Sequence, residues 1–338
     1  DEPSMLILDE PTSALSAAEV DNLMAVIRRL RDQGVGILYV SHRLSEIDAL
    51  ADTVVVLRDG VITGTHDKPL PWAQALTEML GEDGVTEASS AAEQRGDTEV
   101  LQVHGLKLFP RSKPFDLTLR SGEVTGVIGL LGSGKSETAE ALFGASKVKP
   151  EEMTLKGKLY RPSHPSQAIN RGVYLVPEDR AKQSMFQGWS IARTVTLPFL
   201  ETIRRGLVLD FGKENTVAQE VIDDLGVVAQ APTQPVDSLS GGNQQKVVVG
   251  KWLHGSPEVL ILDEPFRGVD IGARRTISRK ASALAAGGKA VVVFTSEVDE
   301  LLEVADRVIV LVDGEPRLDT YVSQTSREVI VSTMSEVA

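Results

Sequence analysis

The chain has no cysteine among its 338 residues. That excludes disulfides, thiolate nucleophiles and Cys-ligated zinc, and it fits a reducing compartment. Positive charge is short: 35 Lys and Arg stand against 48 Asp and Glu, a net charge of −13. A nucleic-acid binder would show a basic face, so that class is disfavoured. An acidic body still permits phosphate binding, because backbone N–H groups and a single Lys can hold phosphates locally. Aromatics are few, at 4%, beside 42% hydrophobic and 25% charged residues, a globular composition. No apolar stretch approaches the ~18–20 residues needed to cross a bilayer. The start, Asp1-Glu2-Pro3-Ser4, has neither an initiator Met nor a signal peptide.

One further shortage is more telling. Leu-Ile-Leu-Asp-Glu-Pro occurs twice, ending at Pro11 and at Pro265, but only one glycine-rich phosphate loop accompanies the pair, at residues 129–136. Each Asp-Glu copy resembles the metal-and-base end of an ATPase site, and each calls for its own glycine loop upstream. The first copy lies too near Asp1 for one. The expectation is one whole domain preceded by the tail of another, in a truncated chain.

The duplication extends beyond the motif. At a shift of 254 positions, which carries Asp9 to Asp263, Pro3 meets Pro257, Gly34 meets Gly288 and Glu46 meets Glu300. Ala51-Asp52 meets Ala305-Asp306, and Asp59-Gly60 meets Asp313-Gly314, all without a gap. This is an internal repeat of domain size.

Residues 5–9 form a short apolar run ending in acid, as a buried parallel strand does. Residues 16–31 have helical spacing, with Val20, Leu23, Met24, Ile27 and Leu30 on one face. Strands at 37–40 and 53–57 flank a helix start at 45–50, an α/β pattern with a parallel sheet. Residues 81–98 hold no aliphatic larger than Val85 and read as a polar linker. The expected division is residues 1–80, linker 81–98, and a complete domain at 99–338. Within the latter, residues 186–236 leave room for a helical insertion.

Val127-Ile128 leads into Gly129, Leu130, Leu131, Gly132, Ser133, Gly134, Lys135 and Ser136, followed by a helical pattern over 137–142. A strand, then GxxxxGK[ST], then a helix is the context in which such a loop cradles phosphates. Lys135 brings positive charge to the β- and γ-phosphate oxygens, and the Ser136 hydroxyl ligates Mg²⁺. Asp263, ending a buried strand, suits holding Mg²⁺. Glu264, next to it, suits orienting and deprotonating an attacking water. Ser240, Gly241 and Gly242 precede a helix expected near Asn243, and bare N–H groups at a helix start make an anion site.

Ser240-Gly241-Gly242 about twenty residues before an Asp-Glu strand resembles the signature loop of ABC-type ATPases. That resemblance covers essentially the whole chain. It implies an α/β P-loop NTPase of the ABC type: a parallel sheet flanked by helices, with antiparallel β and helical subdomains. More closely, the chain is similar to the duplicated ATP-binding subunits of bacterial simple-sugar importers of the ribose, galactose and xylose class. Four features carry this: LSGGNQQK over 239–246, Pro177-Glu178-Asp179-Arg180 in place of a glutamine loop, Arg267-Gly-Val-Asp270 after the second Asp-Glu, and Thr295-Ser296-Glu297 where the first half has Ser41-His42-Arg43. Ala14-Leu15-Ser16 looks like the family's first domain.

The resemblance implies ATP and Mg²⁺ as cofactors, separate transmembrane permease subunits, a periplasmic sugar-binding protein and a peripheral place on the cytoplasmic membrane face. It also implies head-to-tail pairing of ABC domains, with Asp9, Glu10 and His42 facing residues 240–242 of the second domain. His42 becomes a candidate switch histidine contacting the γ-phosphate and Glu10. Its counterpart, Ser296, cannot take up positive charge, and the Glu178 carboxylate is able to ligate the metal but would repel phosphate more than an amide would. The second site is therefore expected to hydrolyse slowly or mainly to bind ATP. An ATPase assay comparing Glu264→Gln with Glu10→Gln in a protein containing both full domains tests this, and equal losses count against it. Phe109 is a candidate to stack on adenine, a core position in a strand is an equal alternative for it, and Phe115 competes for the role. A soluble duplicated ABC ATPase not coupled to transport, or a hydrolysis-deficient nucleotide-binding fragment, are the alternatives.

Overall fold

A computed structural model of the chain describes residues 4–9, 11–12, 17–41, 44–58, 60–80, 98–206 and 208–335. Glu10, His42 and nearly all of the expected linker lie outside the described residues. The chain divides into two compact units, with the break near residue 89.

The first unit runs β1 (Met5–Asp9), α1 (Ala17–Asp32), β2 (Gly36–Val40), α2 (Leu44–Leu50), β3 (Thr53–Arg58), β4 (Val61–Asp67) and α3 (Trp72–Leu80). β1 pairs with β2 in parallel, and β3 pairs with β4 as an antiparallel hairpin. Met24, Ile27 and Leu50 form its small core, with Leu8, Val20, Leu23, Ile37 and Tyr39 against them. The helical face read from the sequence is the one that packs.

The second unit opens with β5 (Glu99–Leu106), β6 (Phe115–Arg120), β7 (Glu123–Ile128), α4 (Lys135–Phe143), β8 (Glu152–Leu155), β9 (Lys158–Leu159), α5 (Pro165–Ile169) and β10 (Val173–Val176). It continues through α6 (Arg180–Gln183), α7 (Ile191–Thr196), β11 (Arg204–Arg205), β12 (Val208–Leu209), α8 (Phe211–Leu225) and α9 (Gly241–His254). It closes with β13 (Val259–Asp263), α10 (Ile271–Ala286), β14 (Ala290–Thr295), α11 (Val298–Val304), β15 (Arg307–Val312), β16 (Glu315–Tyr321) and α12 (Arg327–Met334).

Its main sheet has the order β10-β13-β14-β7-β15-β16 and is parallel except for β16. A second, antiparallel sheet has the order β6-β5-β8-β9. The strands β7, β13, β14 and β15 are buried along their whole lengths, as strands covered on both faces must be. Side chains alternate between two cores. Val259, Ile261 and Phe294 join the antiparallel sheet and α4, whereas Leu260, Leu262 and Val293 join α9 and α10. A third core ties α7, α8 and α9 together through Ile191, Val221, Leu225 and Val247. The insertion at 186–236 is thus mostly helical, as expected, but it also holds the short β11–β12 hairpin.

The sequence repeat has a structural counterpart down to its register. Met5 pairs with Gly36 as Val259 pairs with Ala290, and Thr53 with Asp67 as Arg307 with Tyr321. The irregularity between Val56 and Leu57 recurs between Val310 and Leu311, at the same shift. The β15–β16 turn has Asp313 and Gly314 at φ of 50° and 81°, the left-handed pair that a two-residue hairpin requires.

Candidate functional site

The site lies at the C-terminal ends of β7 and β13, where a parallel sheet leaves a crevice. β7 delivers the chain to Gly129, and α4 begins at Lys135. The glycines are needed for space as well as for torsion. A Cβ on Gly129 would come within 2.4 Å of the Leu311 carbonyl, and one on Gly134 within 2.5 Å of Leu108. Gly132 and Gly134 stand at φ of 81° and 105°. Leu131 is 99% exposed at the loop tip and Leu130 is also exposed. The buried Ser133 hydroxyl has no partner.

Lys135 is buried, with Nζ donating to the Gly129 carbonyl at 2.5 Å and the Leu130 carbonyl at 3.3 Å. The same Nζ lies 3.7 Å from Glu264 Oε1. Burial holds its pKa below the ordinary lysine value, against the pull of Glu264, Asp263 and Glu178. The ammonium thus has two loop carbonyls and the Glu264 carboxylate around it.

Asp263 ends β13 and is 5% exposed. Burial pushes its carboxyl up to about 7, helped by the charges of Glu264 and Glu178, while the Ser136 hydroxyl bonding to it and Lys135 oppose the rise. Its Oδ1 is buried without a partner. A buried carboxylate oxygen without a donor is costly unless a cation joins it. Asp263 and the Ser136 hydroxyl offer the hard oxygens that suit Mg²⁺. Among the described residues no group of three His, Cys, Asp or Glu side chains is placed to hold a metal alone. The donor set thus fits a cation that takes its other ligands from phosphate and water.

Glu264 sits at φ 45°, left-handed for a residue with a side chain. That strain, of order 1–3 kcal/mol, is met most often at functional sites. Its backbone N–H donates to the Phe294 carbonyl at 2.8 Å. Its carboxylate accepts from the Ser296 hydroxyl at 2.5 Å and the Ser296 N–H at 3.3 Å. So Ser296, just after β14, supplies the groups that aim Glu264, and the first half has His42 at the matched position.

Glu178, after β10, shares a cavity of about 350 Å³ with Ser136 and Asp263. It forms an ion pair with Arg267. Neither the pair nor its consequence was visible in the sequence, where the two residues lie 89 positions apart. Ser240 caps α9, accepting from the Asn243 N–H and side-chain amide. The helix starts at Gly241, two residues earlier than expected, which puts Gly241 and Gly242 in its first turn, donors outward. Phe109 lies by the glycine loop, its ring the nearest neighbour to Gly314 and 3.6 Å from a Cβ built on Gly134. Phe115 pairs with Leu106 between β5 and β6 instead. In the first unit Asp9 ends β1 and is exposed.

Residues 112–267 match the family model described as ABC transporter. The putative ribose/galactose/methyl galactoside import ATP-binding protein of Albidiferax ferrireducens is 37% identical over 92% of this chain and 62% of its own length. The ribose import ATP-binding protein RbsA of Geobacillus kaustophilus is 39% identical over 92% of this chain and 63% of its own. The chain therefore spans somewhat under two-thirds of these relatives. A nucleotide-free ATP-binding cassette from an ABC transporter superposes with a TM-score of 0.56 at 20% identity, over 71% of this chain and 96% of that one. An ATP-binding cassette in its ADP conformation superposes at 0.57 and 19% identity, over 71% of this chain and 96% of that one. The second unit has the fold of ATP-binding cassettes, residues 112–267 match the ABC transporter family model, and these two relatives, at 37% and 39% identity, are named as ATP-binding proteins of ribose or galactoside import.

Proposed function

We propose that the chain binds Mg·ATP at residues 129–136 and Asp263, and that in the whole protein its hydrolysis energises import of a monosaccharide through a separate membrane permease. The observation that carries this reading is the convergence of Lys135, Ser136 and Asp263, with the buried Asp263 Oδ1 lacking a partner. Backbone N–H groups and Lys135 would hold the β- and γ-phosphates. Ser136 and Asp263 would hold Mg²⁺, which when bound neutralises phosphate charge. Glu264, aimed by Ser296, would orient the attacking water. Phe109 would lie under adenine, supported by its place beside Gly134 and Gly314.

Residues 240–242 would serve the opposite site in a head-to-tail pair, with Asp9, Glu10 and His42 forming its metal-and-base end. Among the described residues no helix is long and apolar enough to cross a membrane. The permease subunits would be separate chains, as in the importer class that the sequence resembles. The relatives' names support a sugar cargo delivered by a periplasmic binding protein, with the ATPase peripheral on the cytoplasmic face. Lacking a second glycine loop, this chain alone would bind one nucleotide and turn it over poorly.

Equilibrium binding of a fluorescent ATP analogue tests the reading. Lys135→Ala should weaken binding about 100-fold, the loss of a charge-assisted contact worth roughly 2.7 kcal/mol. Asp263→Asn should keep nucleotide binding but remove its dependence on Mg²⁺. Undiminished binding by Lys135→Ala would overturn it.

A further inference from the structure

Three loops that lie far apart in the sequence meet through two arginines. Arg267, in the loop after Glu264, pairs with Glu178 after β10. Arg180 donates from Nη1 to the Arg267 backbone carbonyl at 3.1 Å. Its other terminal nitrogen packs on α9, where a Cβ on Gly241 would lie 2.9 Å away. A Cβ there would also come within 2.9 Å of the Gly268 carbonyl, so only glycine lets these loops close. Half-buried, Arg180 fixes the backbone from which the Arg267 side chain reaches Glu178.

Glu178 stands where a choice of partner has consequences. It lines the same cavity as Ser136 and Asp263, and its charge acts on both Lys135 and Asp263. A carboxylate in that position is a hard oxygen ligand within the same cavity as the candidate cation ligands. Paired with Arg267 it is occupied elsewhere. The pair is exposed, with Arg267 at 60% and Glu178 at 36%. Ion pairs so placed contribute little and open readily. An amide at residue 178 would offer a guanidinium no such charge-based hold.

We propose that Arg267 is a positioning residue that withholds Glu178 from the cation site, so that Glu178 is a reserve carboxylate ligand which joins Ser136 and Asp263 when the ion pair opens. Arg180 keeps Arg267 in place and couples that pair to the start of α9. The inference rests on the Mg·ATP reading of residues 129–136.

The test is Mn²⁺ binding to the full chain saturated with a non-hydrolysable ATP analogue, followed by the electron paramagnetic resonance signal of free Mn²⁺. Arg267→Ala should tighten Mn²⁺ binding about 3- to 10-fold, consistent with one added carboxylate ligand. Arg267→Lys should stay close to the wild type. The gain should persist at 0.5 M KCl, because salt screens a distant field far more than a direct metal–oxygen contact. It should vanish in the Arg267→Ala, Glu178→Gln double variant. An unchanged Mn²⁺ affinity, a gain lost at high salt, or a gain surviving in the double variant would each overturn the proposal. If the wild-type chain fails to bind the nucleotide at all, the Mg·ATP reading fails first and removes this inference with it. Arg267 is exposed, so its replacement leaves the fold intact.

Discussion

The strands β1–β2 and β13–β14 share a register to the residue, yet they live in opposite surroundings. Ile7 is 62% exposed where its counterpart Ile261 is fully buried. Val40 is 45% exposed where Phe294 is fully buried. In the second unit β7 lies between β14 and β15, the antiparallel sheet and α4 cover one face, and α9 and α10 cover the other. In the first unit, among the described residues, β1–β2 and β3–β4 are two separate two-stranded sheets. Pairing and turn geometry are therefore local properties that the repeat carries with it. Burial is set by elements that come from elsewhere in the sequence, and the described residues of the first unit do not include a counterpart of them.

The sharpest way to break this comparison is one substitution made at both matched positions. Ile261→Ala should destabilise the second unit by about 2–5 kcal/mol, because it opens a cavity in a closed core. Ile7→Ala should cost no more than about 0.5 kcal/mol, as a surface change does. A chain of two units need not unfold in one step, so the readout is native-state hydrogen exchange of the β13 and β1 amides rather than one melting midpoint. Equal losses would show that the first unit's strand face is covered after all.

This contrast also explains what could be read from the sequence. The glycine loop, the Asp-Glu strand ends, the α1 face and the hairpin turn at Asp313-Gly314 are set by near neighbours, and their residue types state them. The self-match at 254 positions foretold the shared register, and even the bulge beside Val56 and Val310 follows it. The β11–β12 hairpin was hidden because two-residue strands leave no period to read. The Arg267–Glu178 and Arg180–Gly241 contacts join loops of distant sequence position, and no spacing announces them. Glu46 and Glu300 were seen to align, but their aligned positions said nothing of their different hydrogen-bond donors.

Those donors give a second, smaller test. In the first unit Thr12, Tyr39 and Ser41 all donate to one oxygen, Glu46 Oε2, at 3.0, 2.7 and 3.1 Å. They tie the loop after β1 to the end of β2 and to α2. At the matched positions Thr12 becomes Phe266 and Tyr39 becomes Val293, so Thr295 is the one matched hydroxyl, donating to Glu300 at 2.8 Å. Three hydroxyl donors converge on one buried carboxylate oxygen, where an amide would be the weaker acceptor. Glu46→Gln should therefore destabilise the first unit by about 2 kcal/mol, the scale for hydrogen bonds to a buried charged group. The check is exchange of the β2 and α2 amides, and a cost below that of Glu300→Gln would reverse the comparison.

The smallest effect is the most diagnostic, because its sign depends on pH. Burial pushes the Glu300 carboxyl up to about 7 from the ordinary 4.5, with Glu297 and Glu264 adding to the rise and Thr295 and Arg274 opposing it. The folded chain then holds this proton over a range where the unfolded chain has released it. Stability from this group is fullest below about pH 4.5 and falls as pH rises through 7. Asp263, also pushed up to about 7 by burial, contributes in the same direction, so the wild-type slope has two sources. Glu300→Gln should remove one of them. At pH 5 the variant should lose up to about 1 kcal/mol, the net worth of a neutral hydrogen bond to Thr295. At pH 8 it should match or exceed the wild type, because the amide has no buried charge to accommodate. Exchange rates of the α11 amides at the two pH values, corrected for intrinsic chemistry, read the difference. A loss at pH 8 as large as at pH 5 would mean that Glu300 does not hold its proton in the folded chain, and that the contrast between the two halves fails at this position.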